Sequence, residues 1–235
     1  MSSRGEQVLI AANPKSGSVS SRQRVADLRQ ALTDRGFGCH VCHSLEQVQQ
    51  ESLRLQQGGC LRAVVSAGGD GTADALTNLL PSHLPLLVFP LGTENLLAKY
   101  LGIHGDVRQA CDILQADQRL AIDVGRANGQ LFLVMLSCGF DAEVVRQMHA
   151  RRTGHINRWS YTRPIYSALR NYRFQQLRFE TDAPQAASEH WPLDAAAWLF
   201  VFNIPRYAAS LNFCPQADPC DGLLDVCLFQ RSGIL

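Results

Sequence analysis

A parallel α/β half followed by a mostly β half is the fold this sequence predicts, and three observations predict it. Up to about residue 115, short apolar runs alternate with helical periodicities, the pattern of a parallel sheet with crossover helices. Turn formers and glycines follow the apolar runs instead of interrupting them. From Arg119 the signals become hairpin-like, led by Asn128-Gly129 between two apolar stretches.

Gln7–Ala12 is a short apolar run of the kind that fills a buried parallel strand, and Asn13-Pro14-Lys15-Ser16-Gly17-Ser18 breaks it. A helix follows with Val25, Leu28 and Leu32 on one face and Gly36 as its stop, then a strand over Phe37–His43. Ser44 and Gln47 form a capping box for a helix with Leu45, Val48 and Leu55 apolar, which ends at Gly58-Gly59. A third strand runs into Gly68-Gly69-Asp70-Gly71-Thr72 and a helix over 73–80. Pro85–Pro90 is a fourth buried strand, delivering Leu91-Gly92-Thr93-Glu94-Asn95 into a helix over 95–101, and a helix over 106–115 closes this half. Strands are then expected over 120–127, 130–138, 177–181, 195–203 and 223–229, with helical segments near 141–149 and 160–171. The expected division is therefore 1–120 and 121–235.

The 235 residues suffice for one large or two small domains, and 46% hydrophobic with 18% charged residues is ordinary for a soluble globular chain. A formal net charge of +1 gives no global attraction to nucleic acid or membrane. No apolar run approaches the ~20 residues of a membrane helix, and Met1–Gln7 lacks a signal-peptide core, so the chain reads as cytoplasmic. Its eight cysteines are scattered through apolar segments, which favours buried free thiols. Cys39-His40-Val41-Cys42-His43 resembles a metal hook, but no second Cys/His pair with zinc spacing follows, and its alternation suits a strand.

The chemistry concentrates in the loops after the strands. In Gly68–Thr72, glycine permits positive φ and close approach of a ligand, and the next helix offers unpaired N–H groups to an anion such as phosphate. Asp70 would repel phosphate directly and suits a magnesium ion or its water. A plain turn remains the alternative for this tetrapeptide. Asn13–Ser18 carries a lysine, hydroxyls and a glycine at a strand's carboxyl end, where open α/β sheets bind ligands. The chain's only lysines, Lys15 and Lys99, lie beside these motifs. No Gly-x-Ser-x-Gly elbow is present, and no Gly-x-Gly-x-x-Gly follows the first strand, which excludes the usual serine hydrolase and Rossmann dehydrogenase patterns.

With these motifs in view, the chain resembles the diacylglycerol kinase catalytic-domain family, which includes bacterial lipid kinases and sphingosine kinases and is a cousin of NAD kinases. The resemblance rests on Asn13–Gly17, Gly68–Thr72, Pro90–Asn95, Ile122-Asp123-Val124-Gly125, Cys138-Gly139-Phe140-Asp141-Ala142 and Asp221–Val226, in that order. It implies an α/β nucleotide domain beside a β-sandwich, with ATP in the cleft between. Carried over by position, Asn13, Lys15, Ser16, Gly17, Ser44, Gly68, Gly69, Asp70, Gly71, Thr72 and Thr93 would line the nucleotide. Asp221 would hold a structural magnesium with backbone carbonyls near Asp218 and Leu223, Asp70 linked through water and Asp123 near the same network.

Two departures from the family pattern stand out. Asp74 and Ala75 replace the Asn-Glu pair common after Thr72, and the sequence stops at Leu235 without the Asp-Gly-Glu segment whose acids are proposed to deprotonate the lipid hydroxyl. The expected consequences are Asp70 or Asp141 as substitute base, or a truncated chain with weakened transfer, and an unpaired β edge that favours a homodimer. Residues 146–179 hold eight arginines and no acid, with Trp159, Tyr161, Tyr166 and Tyr172 interleaved. Arg146, Arg151, Arg152, Arg158 and Arg163 are the expected contacts to an anionic membrane surface, in preference to nucleic acid. The function expected is transfer of the ATP γ-phosphate to a diacylglycerol-like or sphingoid-like hydroxyl; the alternatives are NAD kinase and a nucleotide-binding module without catalysis.

Overall fold

The structure, a computed structural model, describes residues 6–12, 19–150, 177, 197–207 and 211–229. β1 (Gln7–Ala12), α1 (Val19–Asp34), β2 (Gly38–Cys42), α2 (Leu45–Gln57), β3 (Leu61–Gly68), α3 (Asp70–Leu79), β4 (Leu86–Pro90), α4 (Leu96–Tyr100) and α5 (Val107–Gln115) make the first half. The four strands pair in parallel in the order β2-β1-β3-β4, so the loops that follow them leave from one edge of the sheet.

The apolar runs are continuous because both sheet faces are covered. Val8, Ile10 and Ala12 enter one core with Leu28 and Leu32 of α1 and Ala110, Cys111 and Leu114 of α5. Leu9 and Ala11 point the other way, toward Val48 of α2 and Leu76 of α3. Val8, Leu9 and Ile10 are each 0% exposed, and full burial of such a side chain contributes about 1.5–3 kcal/mol. Gly36 stops α1 with φ 90°, and Ser44 Oγ caps α2 by accepting from Gln47 N at 3.2 Å. The reciprocal bond is displaced one residue, since Gln47 Oε1 accepts from His43 N at 2.9 Å.

α3 begins at Asp70, three residues earlier than the sequence suggests. Gly69, extended at φ −100° and ψ −173°, is its N-cap, so the Asp-Gly-Thr step is the helix's first turn. Positive φ is absent from Gly68, Gly69 and Gly71, against expectation; Gly68 and Gly69 serve close approach, whereas Gly71 has open space around it.

The second half contains β5 (Gly125–Ala127), β6 (Gln130–Phe132), β7 (Met135–Cys138), α6 (Phe140–Ala150), β8 (Trp198–Phe202) and β9 (Asp225–Phe229). Asn128 at φ 49° and Gly129 at φ 81° make the predicted tight hairpin turn between β5 and β6. The expected strand 130–138 is broken: β6 pairs with β5, whereas β7 crosses to an antiparallel β7-β8-β9 sheet. The break falls at Leu133 and Val134 because these two side chains turn into the α/β core together with Ile204. Residues 120–124 and 223–224 carry no strand. The expected helix at 160–171 and most of the strand at 177–181 lie outside the described residues.

The β7-β8-β9 sheet packs its own aromatic cluster, in which Phe200 lies 5.7 Å from Phe202 and 5.5 Å from Tyr207. All eight cysteines are free, but Cys138 and Cys220 are exposed, contrary to the expectation of burial throughout. Among the described residues no helix is long and apolar enough to cross a membrane.

Candidate functional site

Two loops meet at the carboxyl edge of the parallel sheet. A Cβ on Gly92 would lie 2.6 Å from Gly69 Cα, and one on Gly68 would lie 2.3 Å from Thr72 Oγ1, so glycine is required by space. Asn95, in the left-handed region at φ 51°, closes the second loop on itself: its Oδ1 accepts from Gly92 N at 2.9 Å and its Nδ2 donates to Gly92 O at 2.8 Å. Asp70 joins the loops, accepting from Leu96 N at 2.9 Å and from Leu97 N at 3.0 Å, one bond to each carboxylate oxygen. It thereby caps the first turn of α4, which sequence reasoning, having assigned it to magnesium or catalysis, did not foresee. Beneath the turn, buried Ser66 Oγ has no partner among the described residues and lines a cavity of about 10 Å³, room for one water at most.

One turn along α3, Asp74 Oδ1 accepts from Leu133 N at 3.0 Å. Burial, and then the nearby Asp70 charge, push the Asp74 carboxyl up to about 6, while the Leu133 hydrogen bond holds it down. A further turn on, Asn78 accepts from Leu131 N at 2.8 Å and donates to Leu131 O at 2.9 Å, pairing with the β6 backbone as a strand would.

A carboxylate turn lies in the second half. Asp218 Oδ1 accepts from Cys220 N at 3.0 Å and Asp221 Oδ1 from Leu223 N at 2.9 Å, two successive Asx turns that Gly222 completes at φ 79°. Asp123 is brought against it: Asp123 Oδ2 accepts from Gly222 N at 2.7 Å, and Asp123 N donates to Pro219 O at 2.6 Å. The negative field of this turn is visible on its neighbours. Desolvation and then the charges of Asp218, Asp123 and Asp221 raise the Cys220 thiol, and desolvation followed by Asp218 raises the Tyr100 hydroxyl. Among the described residues no three His, Cys, Asp or Glu side chains form a ready metal cage. Exposed oxygen donors with excess negative charge nevertheless suit a hard cation that keeps several waters, so the turn fits magnesium.

Between α4 and the loop after β8 opens a cleft of about 320 Å³ lined by Leu96, Lys99, Tyr100, Arg206, Tyr207 and Leu211. Lys99 Nζ is 3.5 Å from Glu94 of the Gly-Thr-Glu-Asn loop, and the Tyr207 hydroxyl donates to Asp141 Oδ1 at the start of α6. The cleft thus adjoins both the glycine loops and, through Tyr100, the carboxylate turn.

The structure therefore brings Gly68–Thr72, Thr93 and Ser44 to one sheet edge, and Asp123, Asp218, Asp221 and Leu223 to one turn. Ser44 serves as the α2 cap. Asn13, Lys15, Ser16 and Gly17 lie outside the described residues, as do Arg151, Arg152, Arg158 and Arg163. Arg146 is described: it stands exposed on α6, and its guanidinium forks onto Glu143 at 2.7 and 2.8 Å, drawing that carboxyl down to about 2. Sequence reasoning overlooked Asn78, Tyr207 and Asn203; the signal available for Asn203 was a lone amide ending an apolar strand run.

Residues 7–127 match the family model described as diacylglycerol kinase catalytic domain, and residues 134–233 match one described as YegS C-terminal NAD kinase beta sandwich-like domain. A protein of Pseudomonas syringae pv. tomato named "Probable lipid kinase YegS-like" is 31% identical over 169 residues, 70% of this chain and 53% of its own length. One of the same name from Enterobacter sp. is 25% identical over 98% of this chain and 76% of its own. The chain spans about half the length (53%) of the first of these relatives. Among solved structures, a diacylglycerol kinase of Bacillus anthracis aligns with TM-score 0.64 at 23% identity, over 99% of this chain and 78% of that one. A further chain from that organism gives TM-score 0.69 at 20% identity, over 99% and 77%; both likenesses concern the fold.

Proposed function

Because the chain belongs to the diacylglycerol kinase catalytic-domain family, we propose that it is an ATP- and magnesium-dependent lipid kinase, moving the γ-phosphate to a hydroxyl of a diacylglycerol-like or sphingoid-like lipid. The observation that carries this reading is the meeting of two glycine loops at one edge of the sheet, with an amphipathic cleft beside them and, next to Tyr100 of that cleft, a carboxylate turn. Phosphoryl transfer is mostly positioning and charge neutralisation, and these elements divide that work.

In this reading the backbone of Gly68–Thr72 and the loop of Thr93 receive the nucleotide phosphates, with Asn13, Lys15, Ser16, Gly17 and Ser44 completing the nucleotide side. Asp70 holds the two loops in register through its bonds to α4. Asp221, with backbone carbonyls near Asp218 and Leu223 and with Asp123 alongside, would hold magnesium, which supplies charge neutralisation when bound. The acceptor enters the cleft beside Lys99, its apolar part against Leu96 and Leu211. Both oxygens of Asp70 accept backbone N–H groups, so Asp141, hydrogen-bonded to Tyr207 of the cleft wall, is the better candidate to take the hydroxyl proton. Arg151, Arg152, Arg158 and Arg163 would dock the protein on an anionic leaflet, making it a peripheral membrane protein on the cytoplasmic side.

γ-Labelled ATP with magnesium, mixed lipid micelles and NAD in one tube tests the reading. Label in a lipid is the expected result. Label in NAD would reassign the enzyme to NAD kinase chemistry, and bound ATP with no labelled acceptor would leave a nucleotide-binding module. Flotation with anionic vesicles, lost on neutralising the arginines and on adding salt, is the outcome expected of the docking surface.

A further inference from the structure

The glycine loops and the carboxylate turn lie in different halves of the chain, yet an unbroken series of hydrogen bonds joins them. Asp70 and Asp74 stand one turn apart on α3, the first tied to α4 and the second to Leu133 N. Leu133 then faces both ways: its N–H goes to Asp74 at 3.0 Å, and its carbonyl accepts from Asn203 Nδ2 at 2.7 Å. The same Asn203 Nδ2 reaches the carbonyl of Asp123 at 2.8 Å, and Asp123 Oδ2 receives Gly222 N at 2.7 Å. Asn203 is 1% exposed and Leu133 is 4% exposed, so water cannot readily substitute for these bonds. Packing runs beside them, since Leu133, Val134 and Ile204 sit in the α/β core although they belong to the second half.

We propose that Asp74 and Asn203 are positioning residues that hold the Leu133 backbone through the peptide groups on either side of its Cα and so fix the spacing between the Gly68–Thr72 turn and the Asp218–Leu223 turn. The catalytic consequence rests on the lipid kinase reading; the mechanical one does not. A displaced Leu133 would carry Asn203, and with it Asp123 and Gly222, away from the glycine loops. Asn78 adds a second hold on β6 from the same helix.

Amide hydrogen exchange on the whole chain, comparing Asp74→Ala with Asp74→Asn, reads the linkage without ligand or activity. Asparagine keeps an oxygen that can accept from Leu133 N; alanine does not. In Asp74→Ala, exchange at 131–134 and also at 222–223 is expected to rise at least about tenfold, whereas β1 and β3 amides hold their wild-type protection and so exclude global loosening. Asp74→Asn is expected to restore both segments. A rise confined to 131–134, or one that asparagine does not rescue, overturns the proposal. In the labelled-ATP assay, Asp74→Ala should lower kcat about tenfold while the nucleotide Kd stays within about twofold, a split that Asp74→Asn reverses. If the wild type labels no lipid, the kinase reading fails alone, and exchange at 222–223 still decides the linkage.

Discussion

The steps Asp70-Gly71 and Asp221-Gly222 are the same dipeptide at the two ends of the site, and the fold uses them in opposite ways. Asp70 begins a helix, both its oxygens accept from the N–H groups of a second helix, and neither flanking glycine needs positive φ: Gly69 before it provides room for Gly92, and Gly71 after it stands open. Asp221 sits in an exposed Asx turn, uses Oδ1 for Leu223 N, and is followed by a glycine that the turn requires at φ 79°. A carboxylate with a helix N–H on each oxygen acts first as scaffold; one that folds only its own turn through one oxygen leaves the other for a ligand. The dipeptide alone does not separate these roles, and the partner N–H groups do.

The largest effect expected from this contrast is where the second loop touches the first. Gly92→Ala places a Cβ against Gly69 Cα and Asn95 Oδ1, backbone and a locked side chain that cannot step aside. A loss of roughly 3–5 kcal/mol in urea unfolding, with loss of nucleotide binding, is expected. Gly71→Ala, where nothing lies within 4 Å, should be nearly silent in stability, which makes it the control.

Asp74, the partly buried carboxyl one turn beyond Asp70, should dominate the acid side of the stability curve. Its folded value of about 6 lies above the ordinary aspartate value of 3.8, so the native chain keeps a proton that the unfolded chain releases. Its contribution is therefore full below pH ~4 and is lost as pH rises through ~6, a swing of about 3 kcal/mol at most. Urea midpoints measured across pH 4–7 should show this fall in the wild type and not in Asp74→Asn. Next in size, Asp70→Ala leaves two helix N–H groups without their acceptor and should cost about 2 kcal/mol. Asp221→Ala, by contrast, should change urea stability by less than about 0.5 kcal/mol while abolishing magnesium enhancement of ATP binding. The smallest effect belongs to Arg146→Ala, whose guanidinium stands in solvent, so its urea midpoint should match that of the wild type.

The parallel half was legible because local signals agree there: apolar runs of strand length, helical periodicity between them, Gly36 and Ser44 at helix ends. The hairpin turn was legible from Asn128-Gly129 alone. The split of 130–138 into two sheets was not, since Leu133 and Val134 read as one more pair of strand residues and only the core they enter makes them leave β6. Likewise, spacing predicts which residues follow a strand, and the family resemblance implied that Asp123 lies near Asp221, but neither carries information on who donates to whom. Asp70 as a helix cap and Asn203 as a bridge are properties of pairs far apart in sequence, invisible until the halves meet.

The contact between Gly69 and Gly92 also constrains how this chain can change over generations. The exclusion is one-sided: a side chain at 92 would drive its Cβ to 2.6 Å from Gly69 Cα, whereas a Cβ at 69 would stand 3.3 Å from Gly92 Cα and asks the neighbouring loop to give by only a few tenths of an ångström. Position 92 is therefore closed to replacement while the loops stay together, and position 69 tolerates at most the smallest side chain. Diversification of this site is thereby channelled to the cleft wall and the carboxylate turn, and a library that randomises the two positions should return glycine almost invariably at 92 and glycine or alanine at 69.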